Sequence, residues 1–124
     1  MSPGRRHVRK DDYLDHMAEA IRQACSYVEG MSKEDFLADP RTQDAVILKL
    51  LVVGEAAAQL VTECAEFVDQ NPEIPWKQMR AMRNRMAHGY FDINLDVVWD
   101  TVESSLPELA RKIAEIRRKP PSST

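Results

Sequence analysis

A chain of 124 residues supports one hydrophobic core and not two. With 44% hydrophobic and 30% charged residues it falls among folded globular domains, and only four glycines favour helices over a turn-rich sheet protein. A net charge of −3 argues against non-specific coating of nucleic acid, and no apolar run approaches the ~20 residues of a membrane helix.

In chain order, residues 1–10 read as a basic flexible tail carrying Arg5, Arg6, Arg9 and Lys10, without the apolar stretch of a signal peptide. The first helix is predicted over about 11–29, where Leu14, Met17, Ile21, Cys25 and Val28 recur three or four residues apart and Gly30 stops it. Ser32 then caps a short helical turn that closes before Pro40. The longest helix is predicted over about 41–69. Ile47, Leu50, Gly54, Ala57, Val61, Cys64 and Val68 keep a heptad spacing, and Val46, Val53, Leu60 and Phe67 widen the apolar face. Gly54 with Ala56, Ala57 and Ala58 admits a close neighbour, so this reads as the central helix and a candidate subunit interface.

Asn71-Pro72-Glu73-Ile74-Pro75 breaks the chain, and Pro75 suits the first turn of a third helix. Trp76, Met79, Met82 and Met86 line its inward face, and it ends at Gly89. Asn94 caps a fourth helix running to about Arg118, buried through Val98, Val102, Leu106, Leu109, Ile113 and Ile116. Pro107 is expected to kink that helix without ending it, because the period continues beyond the proline. Residues 119–124 are expected to be disordered, which leaves one all-α domain over 11–118. Cys25 and Cys64 fall inside apolar patterns, without zinc-ligand spacing, and read as reduced core residues of a cytoplasmic protein.

Charge is unevenly spread. Between Asn71 and Tyr90, Lys77, Arg80, Arg83 and Arg85 meet only Glu73, so the third helix is a basic element on an acidic body. Within it, Asn84 precedes His88 by one helical turn, and Arg83 stands one residue earlier. A permanently charged guanidinium and an imidazole that trades protons near neutral pH are the minimal kit for cleaving a phosphodiester. Arg83 lies about 100° around the helix from Asn84 and reaches the same ligand if the helix unwinds at His88-Gly89. The bland alternative makes His88 a cap beside a terminal glycine. Arg80 and Arg85 are candidates for RNA contact, with salt bridges to a neighbouring helix as the alternative.

Arg83-Asn84-Arg85-Met86-Ala87-His88 resembles the Arg-x4-His signature of the HEPN superfamily. With Gly89-Tyr90 it resembles the Arg-x4-His-x-Tyr form of the HepT-like ribonuclease toxins, and the similarity continues through Phe91–Trp99 and Ser105–Leu109. The resemblance implies a four-helix up-and-down bundle that forms a homodimer, with the signature at a shared cleft. It implies metal-independent cleavage of RNA without a cofactor, with Arg83 and His88 catalytic and Asn84 supporting them. It also implies a partner, a minimal nucleotidyltransferase antitoxin that transfers AMP from ATP onto the signature tyrosine, here Tyr90. The expected assembly is the homodimer, with a larger hetero-oligomer around that antitoxin as the alternative.

The rival, from the binding-module class, is a non-catalytic HEPN protein that holds a nucleotide or scaffolds its nucleotidyltransferase. An intact Arg-x4-His pairing favours the enzyme, since a scaffold has no need of it. Asp92, Asp96 and Asp100, four apart, invite a metal reading, but acids at the start of the fourth helix complement its dipole. His7 and His16 read as solvated.

Overall fold

The computed structural model describes the backbone of residues 3–89 and 92–118, with side chains from Arg9 onward. Every regular element among them is helical: α1 Pro3–Tyr27, α2 Lys33–Leu37, α3 Pro40–Glu63, α4 Ala65–Asp69, α5 Trp76–His88, α6 Leu95–Asp100 and α7 Leu106–Arg118. A π-helical turn over Thr101–Ser105 joins α6 to α7, so the last two helices form one rod.

Side-chain pairs give the direction of each rod. Arg9 near the start of α1 meets Glu63 at the end of α3, so these helices run antiparallel. Phe67 in α4 packs edge-on against Trp76 at the start of α5, with ring centroids 6.3 Å apart, and α5 runs back along α3. Arg117 at the end of α7 pairs with Asp15 in α1, and the Cys25 thiol faces the Val102 carbonyl, so α7 returns antiparallel to α1. The outcome is the all-α up-and-down bundle that the periodicities and the resemblance lead one to expect.

The core follows the predicted stripes. Leu14, Met17, Ile21 and Val28 of α1 are buried, as are Val46, Ile47, Leu50, Val53, Ala57 and Leu60 of α3. Trp76, Met79 and Met86 come from α5, and Val98, Leu106, Leu109, Ile113 and Ile116 from the last rod. Burying each large apolar side chain contributes about 1.5–3 kcal/mol. Helix α3 is, by length and composition, apolar enough to cross a membrane, which a search for unbroken apolar runs misses because Lys49 and Glu55 interrupt it. Here it is the central helix, and its apolar stripe is spent on α1 and α5.

Local chemistry sets most boundaries. Ser32 and Asp35 form a capping box on α2, and Asp39 caps α3 through the Thr42 amide, with Pro40 in the first turn. Gly30 takes φ 78 after α1, a conformation natural to glycine. The Asn94 carboxamide accepts hydrogen bonds from the amides of Asp96 and Val97, as its position predicts.

Three boundaries differ from expectation. The basic stretch read as a flexible tail is helical from Pro3, and Arg9 and Lys10 anchor it, on Glu63 at 3.0 Å and over the Phe67 ring. The long helix expected to reach Asp69 breaks at Cys64, whose φ of −132° and ψ of 48° are not helical, and this redirects α4 toward Trp76. Pro107 does its work upstream of itself. Its ring would crowd the carbonyl four residues back, and the chain widens there, with the Leu106 amide donating to Thr101 five residues earlier. Both cysteines are half-buried, and burial is the main cause that raises the Cys25 thiol above its usual range.

Candidate active site

The site is built on α5, and α5 is placed by its two ends. At the start, buried Asn71 donates to the Phe67 carbonyl at 2.9 Å, while the Trp76 indole donates to the Asn71 carbonyl at 3.0 Å. These bonds pin the turn that launches the helix. Further along, α5 presses on α3 at Gly54. A Cβ at that position would lie 2.5 Å from the Arg83 Cβ and 3.0 Å from the Met79 carbonyl oxygen, so only glycine admits this approach. The small-residue stretch expected at a subunit interface is thus filled, at Gly54, by the chain's own fifth helix.

That approach seats Arg83 at the edge of the α3–α5 seam. Its Nε is buried without a hydrogen-bond partner among the described residues, and Glu55 Oε1 stands 3.5 Å away. Gln59 lies beside the other Glu55 oxygen, at 3.5 Å. The Arg83–Glu55 contact is at this distance a charge pairing and not a hydrogen bond, and it is the one ion pair that Arg83 makes among the described residues. Glu55 did not stand out in the sequence as a site residue. A signal was present: it is the one charged residue between Lys49 and Glu63 in an otherwise apolar helix.

Asn84 and His88 lie on the outward face of α5, both exposed and one turn apart, as predicted. The helix does not unwind at His88, which is its last residue, and the Gly89 amide donates to the Arg85 carbonyl at 2.7 Å. Gly89 has φ −123°, so it is not a left-handed cap. Within one chain, therefore, Arg83 and His88 diverge by about 140° around the helix. Their convergence on one ligand rests on side-chain reach or on a second copy of the chain. Arg80 and Arg85 are exposed and make no ion pair among the described residues, contrary to the salt-bridge alternative. Tyr90 lies outside the described residues.

Asp96 pairs with Lys33 at 3.1 Å, joining α2 to α6. Among the described residues no group of three or more His, Cys, Asp or Glu side chains is placed to hold a metal ion.

Fold and site together define a helical-bundle protein in which α5, acid-free and cation-rich, carries Arg83 at its seam with α3 and His88 on its outward face. The family model of the HepT-like ribonucleases matches residues 17–116, and the chain belongs to that family. It is 38% identical over 107 residues to the probable ribonuclease HepT of Thermococcus cleftensis, covering 86% of this chain and 94% of the relative. It is 34% identical over 107 residues to a candidate RNase of Caldanaerobacter subterraneus subsp. tengcongensis, covering 86% and 93%. A candidate RNase of Methanocaldococcus jannaschii is 35% identical over 104 residues, covering 84% of each chain. No solved structure gives a significant match.

Proposed function

We propose that this protein is the toxin of a toxin–antitoxin pair, an endoribonuclease that cleaves RNA without a metal through Arg83 and His88. The observation that carries this reading is the pairing on α5 of a guanidinium braced by Glu55 with an exposed, unencumbered His88, inside the span matched to a ribonuclease family. RNA supplies its own nucleophile. Its 2′-hydroxyl attacks the adjacent phosphorus while a base takes the hydroxyl proton. The 5′-oxygen leaves with a proton from an acid, giving a 2′,3′-cyclic phosphate and a 5′-hydroxyl. Arg83 neutralises charge gathering on the phosphoryl oxygens, and Asn84 orients the phosphate beside His88.

One chain offers a single suitable histidine, whereas the reaction uses both a base and an acid. A symmetric homodimer supplies two copies of His88 at one cleft. The divergence of Arg83 and His88 within a chain favours the same arrangement. So does Leu48, 55% exposed one turn before half-buried Val52, on the side of α3 that carries Glu55. Tyr90, two residues past His88, is the proposed acceptor of AMP from a nucleotidyltransferase antitoxin. Bulk and negative charge there would compete with the substrate phosphate for Arg83.

The deciding experiment is cleavage of labelled RNA by purified protein in EDTA, alongside His88→Ala, with product ends analysed. Cleavage that needs His88 and leaves a 2′,3′-cyclic phosphate is the expected result. Full activity in His88→Ala, or a strict requirement for added metal, would defeat the mechanism. Intact mass after incubation with the antitoxin and ATP should show one added adenylyl group per chain, absent in Tyr90→Phe.

A further inference from the structure

We propose that the outward face of α5 is a track for a single RNA strand, on which Lys77 and Arg80 hold phosphates at successive steps away from the cleavage point at His88. The inference rests on the ribonuclease reading above and adds to it Lys77 and the path of the strand past Arg80.

Lys77, Arg80, Asn84 and His88 follow one another at helical spacings of three, four and four residues. They fall within an arc of about 80° and span about 16 Å of helix axis. All four are exposed, and Ala81 and Ala87 beside them raise no bulk above the backbone. The stripe is therefore narrow, straight and polar. Each helical turn advances about 5.4 Å, comparable with the step between neighbouring phosphates of an extended strand. A duplex would present two strands and a broad groove to a ridge one side chain wide, a poorer fit.

Charge points the same way. No aspartate or glutamate occurs in α5, and neither Lys77 nor Arg80 makes an ion pair among the described residues. Arg83, turned toward α3, has Glu55. Lys77 also sits in the first turn, where no acid is present and where the positive end of the helix dipole disfavours a cation. A side chain serving only helix stability would carry the opposite charge there. What Lys77 does suit is a mobile polyanion that arrives with its own negative charge.

The test is steady-state cleavage of single-stranded oligoribonucleotides of increasing length by wild type, Lys77→Ala, Arg80→Ala and the double variant, across a salt series. In long substrates each substitution should raise KM several-fold with a smaller effect on kcat. The slope of log(1/KM) against log salt should shrink by about 0.7 for each phosphate contact removed. The Lys77→Ala penalty should fade in oligonucleotides too short to reach from His88 to residue 77. Arg111→Ala, the same charge change on exposed α7, controls for net charge and should leave KM in place.

Unchanged KM and salt slope in the double variant would overturn the track, as would an equal penalty in the shortest cleavable substrate. A duplex cleaved as well as its single strand would overturn the single-strand assignment. His88→Ala, run in parallel, separates the two levels. An active His88→Ala defeats the ribonuclease mechanism itself, whereas an inactive one beside a normal double variant defeats only the track.

Discussion

On the α1 and α7 side of the bundle, four cations have acid partners, Arg9 with Glu63, Arg22 with Glu19, Arg117 with Asp15 and Lys112 with Glu108, while Arg111 and Arg118 of α7 have none among the described residues. On the α5 side, Lys77, Arg80 and Arg85 stand without ion pairs among the described residues, and Arg83 alone has a partner. The two sides share one core and one central helix, so the contrast is not a matter of folding. Exposed ion pairs stabilise little, and their loss on one side would be tolerated. A row of uncompensated cations is different: it raises the local potential and is retained at some expense to helix stability. The comparison teaches that ion pairs tie α1 to α3 and to α7, through Arg9–Glu63 and Arg117–Asp15, whereas α5 joins its neighbours by ion pairing through Arg83 alone among the described residues.

The sharpest way to break that contrast is to cross activity with stability. His88→Ala should lower cleavage by about 10²–10⁴-fold, the range for loss of a general acid or base, while melting close to wild type because the side chain is exposed. Leu50→Ala, at the buried centre of α3, should instead lose about 2–5 kcal/mol of stability in denaturant titration. Below the transition it should still cleave. If His88→Ala unfolds the bundle, the division into an organising side and a reactive side collapses.

Gly54 sits where the two sides meet, so its substitution should register on both. Gly54→Ala places a methyl group against the Arg83 Cβ and should destabilise by about 1–3 kcal/mol, as overpacking does. Displacement of Arg83 should lower kcat by more than the stability loss explains, at a temperature where the variant is fully folded. Normal kcat in folded Gly54→Ala would show that the seam does not position Arg83.

The smallest effect belongs to the anchoring of α1. The Arg9 guanidinium and then the Tyr13 hydroxyl hold the Glu63 carboxyl below its ordinary value of 4.5, and burial and then Glu63 raise the Tyr13 phenol against the opposing pull of Arg9. A carboxylate depressed on folding contributes stability that is complete above its unfolded value and is lost as pH falls through the folded one. Wild type and Glu63→Gln should therefore differ in Tm at pH 6 and converge below about pH 4, the ordinary carboxylate range. A gap that persists or widens in acid would assign the anchoring to Tyr13 packing and not to the charge.

Much of this was legible in the chain. The inward stripes of α1, α3, α5 and the last rod follow from 3.6-residue spacing, and the caps at Ser32 and Asn94 follow from side-chain oxygens placed to meet free amides. The expectation that Pro107 does not end its helix also holds, because the apolar period resumes at Leu109 and Ile113. Spacing did not reveal the break at Cys64 or the anchoring of Arg9 and Lys10. The anchoring depends on Glu63, 54 positions from Arg9, and the turn after α4 depends on Trp76, nine positions past Phe67.

The site divides along the same line. Its chemistry, an arginine and a histidine on one basic helix, is local and can be read from Arg83 to His88, since charge and proton affinity belong to the side chains themselves. Its geometry is not local. That Glu55 meets Arg83, that Gly54 lets α5 close onto α3, and that His88 faces away from Arg83 on an unbroken helix are facts of packing between helices, decided by which faces the buried stripes turn toward one another. The sequence by itself determined the inward stripes of the helices and which candidate groups α5 carries. Only the tertiary structure decided which of those groups are braced and which stand open, because a long-range contact is a property of two helices in register and of neither one alone.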